Sequence, residues 1–454
     1  MVALAAAAIA SVWLGGTRPA VAISCAVVVG FAAWQPRRAD VVLLAGLLAI
    51  TGATLSARSW QHATPRHLGP YAGWVTLVAD PVPFAGGVRV VLEVQGERFE
   101  AAVFGPERRR IAARQGGERL EVVGVRDRDN SRWARRSQVR HVVGRFELHD
   151  VGAHDPGATL ARASNRVRGL LRSGAANALL PDQAALFTGL VIGDDVAQPP
   201  AMIEQFRSAG LSHLTAVSGQ NVAFVLAAAG LGLRRLRSGW RLAATVALIA
   251  WFVIITRVEP SVLRAGLMAA LSATAFAVGR DRTPVRTLGL SVIVLVLVDP
   301  MLVWSVAFWL SVCATFGVAG IGPALGRRLR GPTWLTVPLA VSLGAQAGVA
   351  VPSWLVFHRL PSLGVVANLL AVPVAGLVML YGIPAGIVAG AMPSVADVVM
   401  LPCEIGTRWV STVAALAARF APTGAAAAVL WALQLIVLAV WLIRSRPGTA
   451  VVRR

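Results

Sequence analysis

The sequence predicts a polytopic α-helical membrane protein of about ten to twelve spans, with one small OB-like β-barrel inserted near its N-terminus. Two observations predict this fold class. Of the 454 residues, 56% are hydrophobic and only 14% are charged, whereas a soluble domain has roughly 25% charged residues. The apolar residues also form long runs, separated by one charged stretch at 58–150. An ordinary soluble enzyme and a disordered chain are therefore excluded.

Residues 1–57 are predicted to hold the N-terminal transmembrane helices. Apolar runs at about 2–16, 20–34 and 41–57 contain few charges, although the first two are short for a span. The first run lacks a charged n-region, so we expect a retained helix rather than a cleaved signal.

Residues 58–150 are predicted to form the β domain. They hold 16 arginine and 11 acidic residues, and apolar residues alternate with polar ones at period two. The candidate strands lie near 72–79, 87–95, 97–104, 118–125 and 139–149. Five short strands favour an OB-like barrel, although the period also permits a small sandwich. Residues 151–180 are predicted to form an amphipathic linker helix, either on the membrane surface or in solvent.

Residues 181–454 return to membrane composition, with 29 charges in 274 positions. The candidate spans lie near 211–233, 238–256, 260–279, 285–298, 301–324, 333–353, 361–391 and 424–443. Prolines and glycines interrupt 361–391, which predicts one kinked span or two half-helices. The charged stretch 395–420 is compatible with a span or a surface helix.

Arginine in the short loops predicts the orientation. The arginine-rich loops at 37–38, 234–241, 280–286, 327–330 and 444–446 alternate with arginine-poor ones. Because arginine-rich loops are retained in the cytoplasm, we expect a multi-pass protein of the bacterial plasma membrane with an extracytoplasmic β domain.

The residue types argue against several chemistries. All 43 basic residues are arginine, and without lysine there is no Walker A loop or Schiff base. No paired histidine or cysteine motif suggests a metal site. We therefore expect no cofactor, no metal and no catalytic residue. Asp194, His213 and Ser218 could form a hydrolase triad, but no nucleophile elbow surrounds Ser218, and a capped network at a helix start is the alternative.

Polar residues at predicted membrane depth are the candidate conduit residues. Arg264 stands four residues into a predicted span, where it needs a partner, a watery path or a snorkelling position. Asn368 lies in the proline- and glycine-rich stretch, where unwound helices line conduits in other membrane proteins. The predicted channel-lining residues are Asp194, Asp195, Ser212, His213, Ser218, Gln220, Asn221, Arg264 and Asn368.

Two basic loops of the β domain are the candidate DNA-binding site, because arginine neutralises phosphate and an exposed aromatic ring stacks on a base. The predicted contacts are Arg108, Arg109, Arg110, Arg114, Arg132, Trp133, Arg135 and Arg136. A solvated loop surface and binding of anionic lipid are the alternatives. A second aromatic set forms either a stacking platform or barrel core: Tyr71, Trp74, Phe84, Phe99, Phe104 and Phe146.

The segment from Gly189 to Asn221 closely resembles the signature of the ComEC family of competence proteins. Further stretches resemble this family in the same order: 260–268, 282–300, 308–311 and 368–373. The resemblance covers nearly the whole chain. The family's HxHxDH metal-ligand run, which belongs to a C-terminal metallo-β-lactamase-like domain, is absent from this sequence.

The resemblance implies an inner-membrane channel that passes single-stranded DNA inward during natural transformation. It implies as partners the lipid bilayer, a cytoplasmic ATPase or single-stranded-DNA-binding protein, a surface DNA receptor and a separate nuclease. Two other functions stay open on the residues alone. They are a membrane hydrolase of lipid or envelope glycan, and a transporter of another polyanion.

Overall fold

The structure is a computed structural model that describes residues 2–14, 39–215, 219–257, 260–277, 283–358, 363–422, 426, 429–431 and 433. The chain divides into two compact units. The first unit comprises Met1–Leu170, Gly232–Arg282 and Gly289–Phe308. The second comprises Leu171–Leu231, Thr283–Leu288 and Trp309–Arg454. The predicted spans at 20–34 and 424–443 lie largely outside the described residues.

The first unit begins with two packed helices, α1 (Val2–Leu14) and α2 (Ala39–His62). The hydroxyl of Ser56 donates to the carbonyl of Val12 at 2.9 Å, which satisfies a polar group inside this apolar contact. Trp13 stacks on Trp304 at 5.8 Å between ring centroids.

One mixed sheet forms the β domain. Its strands are β1 (Gly69–Leu77), β2 (Val82–Phe84), β3 (Gly87–Val94), β4 (Glu97–Val103), β5 (Arg119–Arg128) and β6 (Val142–Asp155). The short helices α3 (Glu107–Ala112) and α4 (Ala134–Val139) connect β4 to β5 and β5 to β6. The five predicted strands correspond to β1 and β3 to β6, while β2 was not predicted and β6 runs past the predicted boundary at 150.

The five longer strands are hydrogen-bonded in a cycle. The order is β1-β5-β6-β4-β3, and β3 pairs again with β1. The pair β4–β6 is parallel, and the other pairs are antiparallel. Alternate residues of the strands fill the core, including Leu92, Phe99 and Phe146.

Three further apolar helices belong largely to the first unit: α10 (Ser238–Ile255), α11 (Pro260–Ala277) and α12 (Pro284–Val298). The predicted linker helix is α5 (Thr159–Ala178), which begins in the first unit and ends in the second.

The second unit is helical in its described residues. Its N-terminal part contains α6 (Pro181–Ile192), α7 (Pro200–Ser208), α8 (Ser212–Thr215) and α9 (Gly219–Leu233). Its C-terminal part contains α13 (Val306–Phe316), a π-helical turn (Gly317–Ile321), α14 (Gly322–Gly326), α15 (Thr333–Phe357), α16 (Gly364–Ala391) and α17 (Ala396–Phe420).

Three described helical stretches are long and apolar enough to cross a membrane: Val306–Gly326, Thr333–Phe357 and Gly364–Ala391. Four shorter apolar helices cover Gly219–Gly230, Gly239–Ile255, Ser261–Phe276 and Pro284–Val298. The structure thus agrees with the prediction of a helical membrane protein. The described residues contain fewer helices of spanning length than the number of spans predicted.

The stretch at 361–391 is one continuous helix rather than two half-helices, despite Pro373 and Pro384. The missing amide of Pro373 removes the helical hydrogen bond to the carbonyl of Leu369. At the neighbouring position, the indole of Trp409 in α17 donates to the carbonyl of Leu370 at 3.0 Å. The ambiguous stretch 395–420 is α17, which packs along α16.

Candidate nucleic-acid interface and polar membrane site

Trp133 is the exposed centre of the loop between β5 and β6. Its side chain is 51% exposed. The guanidinium carbons of Arg132 and Arg136 lie 5.0 and 5.2 Å from its ring centroid, within cation–π range. The hydroxyl of Ser131 accepts a hydrogen bond from the Trp133 amide, which fixes the loop. An exposed ring between two cations can stack on a base while the cations contact phosphate.

Arg135 has a different environment from its neighbours. Its guanidinium carbon lies 5.3 Å from the ring of Trp60 and 5.1 Å from that of Trp304. Nearby, the ring of His141 lies 2.9 Å from the carboxylate of Asp299. Arg135 therefore joins the β domain to the helix ends of the first unit, and it is a weaker candidate for phosphate binding than Arg132 or Arg136.

Two of the arginines around α3 hydrogen-bond to backbone carbonyls of the β domain. Arg108 donates to the carbonyl of Gly86. Arg110 donates to the carbonyl of Val151 at 2.9 Å and pairs with Glu107. Burial raises the pKa of Glu118, and the nearby Arg114 guanidinium opposes that rise. Arg108, Arg109 and Arg110 are exposed, and Arg114 is half-buried. The hydrogen bonds to the β domain engage Arg108 and Arg110, which leaves Arg109 as the better candidate for phosphate binding.

The second aromatic set divides between core and surface. Phe99 and Phe146 are core residues. Phe104 is exposed and meets Phe84 edge to face at 5.5 Å. Trp74 is 41% exposed, and the guanidinium of Arg119 covers its ring at 5.5 Å. The cross-strand partners were not predicted, because strand period alone does not reveal register.

A buried polar network attaches the β domain to the helices of the first unit. Both oxygens of Asp80 are used: Arg168 of α5 lies 2.8 Å from Oδ2, and Arg257 lies 2.7 Å from Oδ1. Arg168 also donates to the carbonyl of Ile255 at the end of α10. Arg168 is 3% exposed, so this position of α5 packs inside the protein.

Asn165 and Gly116 complete this network. Arg257 donates to the amide oxygen of Asn165 at 2.8 Å and to the carbonyl of Gly116 at 3.0 Å. The amide of Gly116 donates to Asp80. The sequence signalled only a turn at Asp80, because its partners lie about 90 and 180 residues away along the chain.

In the second unit, Arg172 and Asp194 form a partly buried ion pair. Arg172 Nε lies 2.5 Å from Asp194 Oδ2, and Asp194 is 5% exposed. Gly193 adopts a left-handed conformation, φ 66°, that ends α6 and places Asp194 there. Asp195 is solvent-accessible but flanked by protein, and this partial desolvation raises the pKa of its carboxyl.

Asn221 connects the start of α9 to the end of α6. It is buried, and its side-chain amide donates to the carbonyl of Leu190 at 3.2 Å. Gln220 is half-buried, whereas Ser212 and His213 are exposed in this chain. Ser218 lies outside the described residues, so the triad of Asp194, His213 and Ser218 has no geometry here.

Arg264 and Asn368 lie in different units. Arg264 is 4% exposed within α11, and its guanidinium lies 3.3 Å from the sulfur of Met268. Asn368 is half-buried in α16, and its amide oxygen is buried without a hydrogen-bond partner among the described residues. Neither residue lies in an unwound segment, contrary to the expectation for Asn368.

No cluster of three or more metal-ligating side chains occurs among the residues that the structure describes. Apolar helices of spanning length, together with a β domain that carries an exposed arginine–tryptophan cluster, define a membrane protein with an attached polar domain.

The sequence model of the Competence protein family matches residues 190–447. The chain belongs to this family. It is also similar to ComE operon protein 3 of Bacillus subtilis (strain 168), with 30% identity over 217 residues. That match covers 46% of this chain and 27% of the relative, so the chain spans only a part of the relative's length. No solved structure matches the chain.

Proposed function

We propose that this protein is a plasma-membrane channel for the inward passage of single-stranded DNA in natural transformation. Membership of the Competence protein family supports a role in DNA uptake. The observation that carries the choice of substrate is Trp133 between Arg132 and Arg136, because this arrangement suits an unpaired base with its flanking phosphates.

The β domain receives the strand as an OB-like barrel on the outer face of the membrane. The cyclic strand pairing and the parallel β4–β6 pair support this proposal. Helix α10 supports the orientation. Its N-terminal end follows Arg234, Arg235 and Arg237, whereas its C-terminal end is bound by Arg168 of the β-domain network. Arginine-rich ends remain in the cytoplasm, which supports an extracytoplasmic β domain.

In the second unit, the proposed conduit residues are the polar residues near α6, α8 and α9 together with Asn368 of α16. In the first unit, the proposed conduit residue is Arg264 of α11. An unpaired polar group facing lipid is costly, and a watery path removes that cost. The pairing of Asp194 with Arg172 supports this role, since the ion pair reduces the repulsion that a bare carboxylate would exert on phosphate.

The energy for transport comes from a partner in this proposal, because these 454 residues contain no lysine and hence no Walker A loop. Its partners are a surface DNA receptor, a cytoplasmic ATPase or single-stranded-DNA-binding protein that supplies directionality, and a separate nuclease. A deletion strain tests the function directly. We expect loss of DNA uptake with normal envelope composition, whereas altered lipid or glycan with normal uptake would overturn the proposal.

Variants of Arg264 and His213 distinguish the channel hypothesis from the membrane-hydrolase hypothesis. Arg264→Ala should abolish uptake at normal protein abundance, and Arg264→Lys should restore part of it because a cation is kept. His213→Gln keeps hydrogen-bonding capacity but loses the general base, so uptake should remain substantial. Loss of activity in both His213→Gln and Ser218→Ala, with normal abundance, would favour the hydrolase.

A further inference from the structure

An apolar groove runs along the surface of α10. It is lined by Leu236, Trp240, Ala243, Ala244 and Ala247, and its volume is about 370 Å³. Three of the lining residues are alanines, which carry no side chain beyond Cβ, and Trp240 is 72% exposed.

The apolar lining extends along the first part of α10. Trp240 and Ala247 are seven positions apart, which corresponds to about 10 Å along a helix, and Leu236 precedes the helix. Half of a hydrocarbon core is about 15 Å thick. Part of one acyl chain can therefore lie along this lining.

Charge is concentrated at one end of the groove. Arg234, Arg235 and Arg237 are exposed immediately before α10. Arg241 is held differently, since its guanidinium lies 4.9 Å from the ring of Phe276. An apolar groove that ends at three accessible guanidinium groups is complementary to a molecule with an anionic head and an apolar tail.

We propose that this groove binds one anionic phospholipid. The phosphate contacts the arginines before α10, the glycerol region lies against Trp240, and one acyl chain lies on the three alanines. Tryptophan is enriched at this depth of the membrane interface. The site lies at the end of α10 away from the β-domain network, and it requires no DNA transport.

The test uses the purified full chain in detergent, with native mass spectrometry to count bound lipid. The probes are phosphatidylglycerol and phosphatidylcholine with identical oleoyl chains. We expect phosphatidylglycerol to bind at least about tenfold more tightly. Replacing Arg234, Arg235 and Arg237 by glutamine should remove this preference, since each arginine near anionic lipid contributes about fivefold.

Two positions of α10 give a pair of variants. Ala243→Phe fills the groove and should weaken phosphatidylglycerol binding about tenfold. Val246→Phe enlarges an exposed side chain that is not part of the groove lining and should leave binding unchanged. Equal weakening by the two variants, or by neither, would overturn the site.

Two further results would overturn the proposal even if phosphatidylglycerol binds. Glycerol phosphate without acyl chains should not compete; effective competition would indicate an anion site without a chain groove. Trp334 is 74% exposed and also follows an arginine cluster. If Trp334→Ala weakens binding as much as Trp240→Ala, the effect is general anchoring at the interface.

Discussion

At the scale of single residues, Trp133 should contribute stacking and its neighbouring arginines should contribute charge. Trp133→Ala should weaken binding of a single-stranded oligonucleotide by about 1–3 kcal/mol without changing the salt dependence. Replacing Arg132 and Arg136 by alanine should reduce the slope of log K against log salt by roughly 1.4. Fluorescence anisotropy on the full chain at several salt concentrations measures both effects.

Arg135 provides the control for this prediction. Because it packs between Trp60 and Trp304, Arg135→Ala should change the salt slope less than either neighbouring substitution. Salt-independent binding in the unmodified chain would show that the loop is only a solvated surface.

The Asp80 network should dominate the stability of the attachment between the β domain and its helices. Arg168→Leu removes one of the two partners of a buried carboxylate. Loss of all compensation costs about 3–5 kcal/mol, and because Arg257 still pairs with Asp80, we expect a cost below that range but above that of an exposed pair. Arg89→Leu breaks an exposed pair with Glu100 on the same domain and should cost about 1 kcal/mol or less. Hydrogen exchange of the β-domain amides compares the two variants, and equal protection losses would contradict a special role for the buried network.

The candidate residues show what a sequence can reveal about a site. Trp133 was identified from its polar surroundings, and the structure leaves it exposed. Arg110 and Arg135 looked equivalent to their neighbours, yet each has partners from distant parts of the chain. Arginine clusters indicate local charge, but only the tertiary structure decides which guanidinium groups remain accessible.

At the scale of secondary-structure elements, glycine allows the first two spans of the second unit to meet at backbone distance. A Cβ at Gly317 would lie 2.0 Å from the carbonyl oxygen of Gly344. Gly317→Ala should therefore separate Val306–Gly326 from Thr333–Phe357 and lower stability by about 1–3 kcal/mol or more. Gly320→Ala is the matched control, because its nearest contact would be an ordinary 3.7 Å.

Thermal unfolding in a fixed detergent compares these two glycine variants. A similar midpoint for both would show that the helices adjust without cost. The π-helical turn that begins at Gly317 is one place where such adjustment could occur, since π turns are local irregularities of a helix.

The elements differ in how well their sequences predict them. Alternating residues located the five long strands, since one face of each strand fills a core. Strand β2 was not predicted because its three residues are too few to show the alternation of apolar and polar residues. At 361–391 the sequence left open one kinked span or two half-helices, and the structure has one continuous helix. Proline signals a break locally, but it does not show the packing of α17 along α16.

At the scale of the whole molecule, the orientation can be tested by labelling. In a chain whose native cysteines are replaced by serine, Ser131→Cys should react with an impermeant thiol reagent in intact spheroplasts. Arg330→Cys, in an arginine-rich loop, should react only after lysis. The reverse pattern would invert the topology and place the arginine–tryptophan loop in the cytoplasm.

The Asp80 network also bears on how this molecule can change by recombination. A β domain inserted between membrane helices looks like a cassette that could be exchanged between relatives. Its loop carboxylate, however, is neutralised by Arg168 and Arg257, which are encoded beyond the end of the domain. A graft that carries Asp80 without these two residues would bury an uncompensated charge. Exchange is therefore expected to succeed only when α5 and the segment after α10 move together with the β domain.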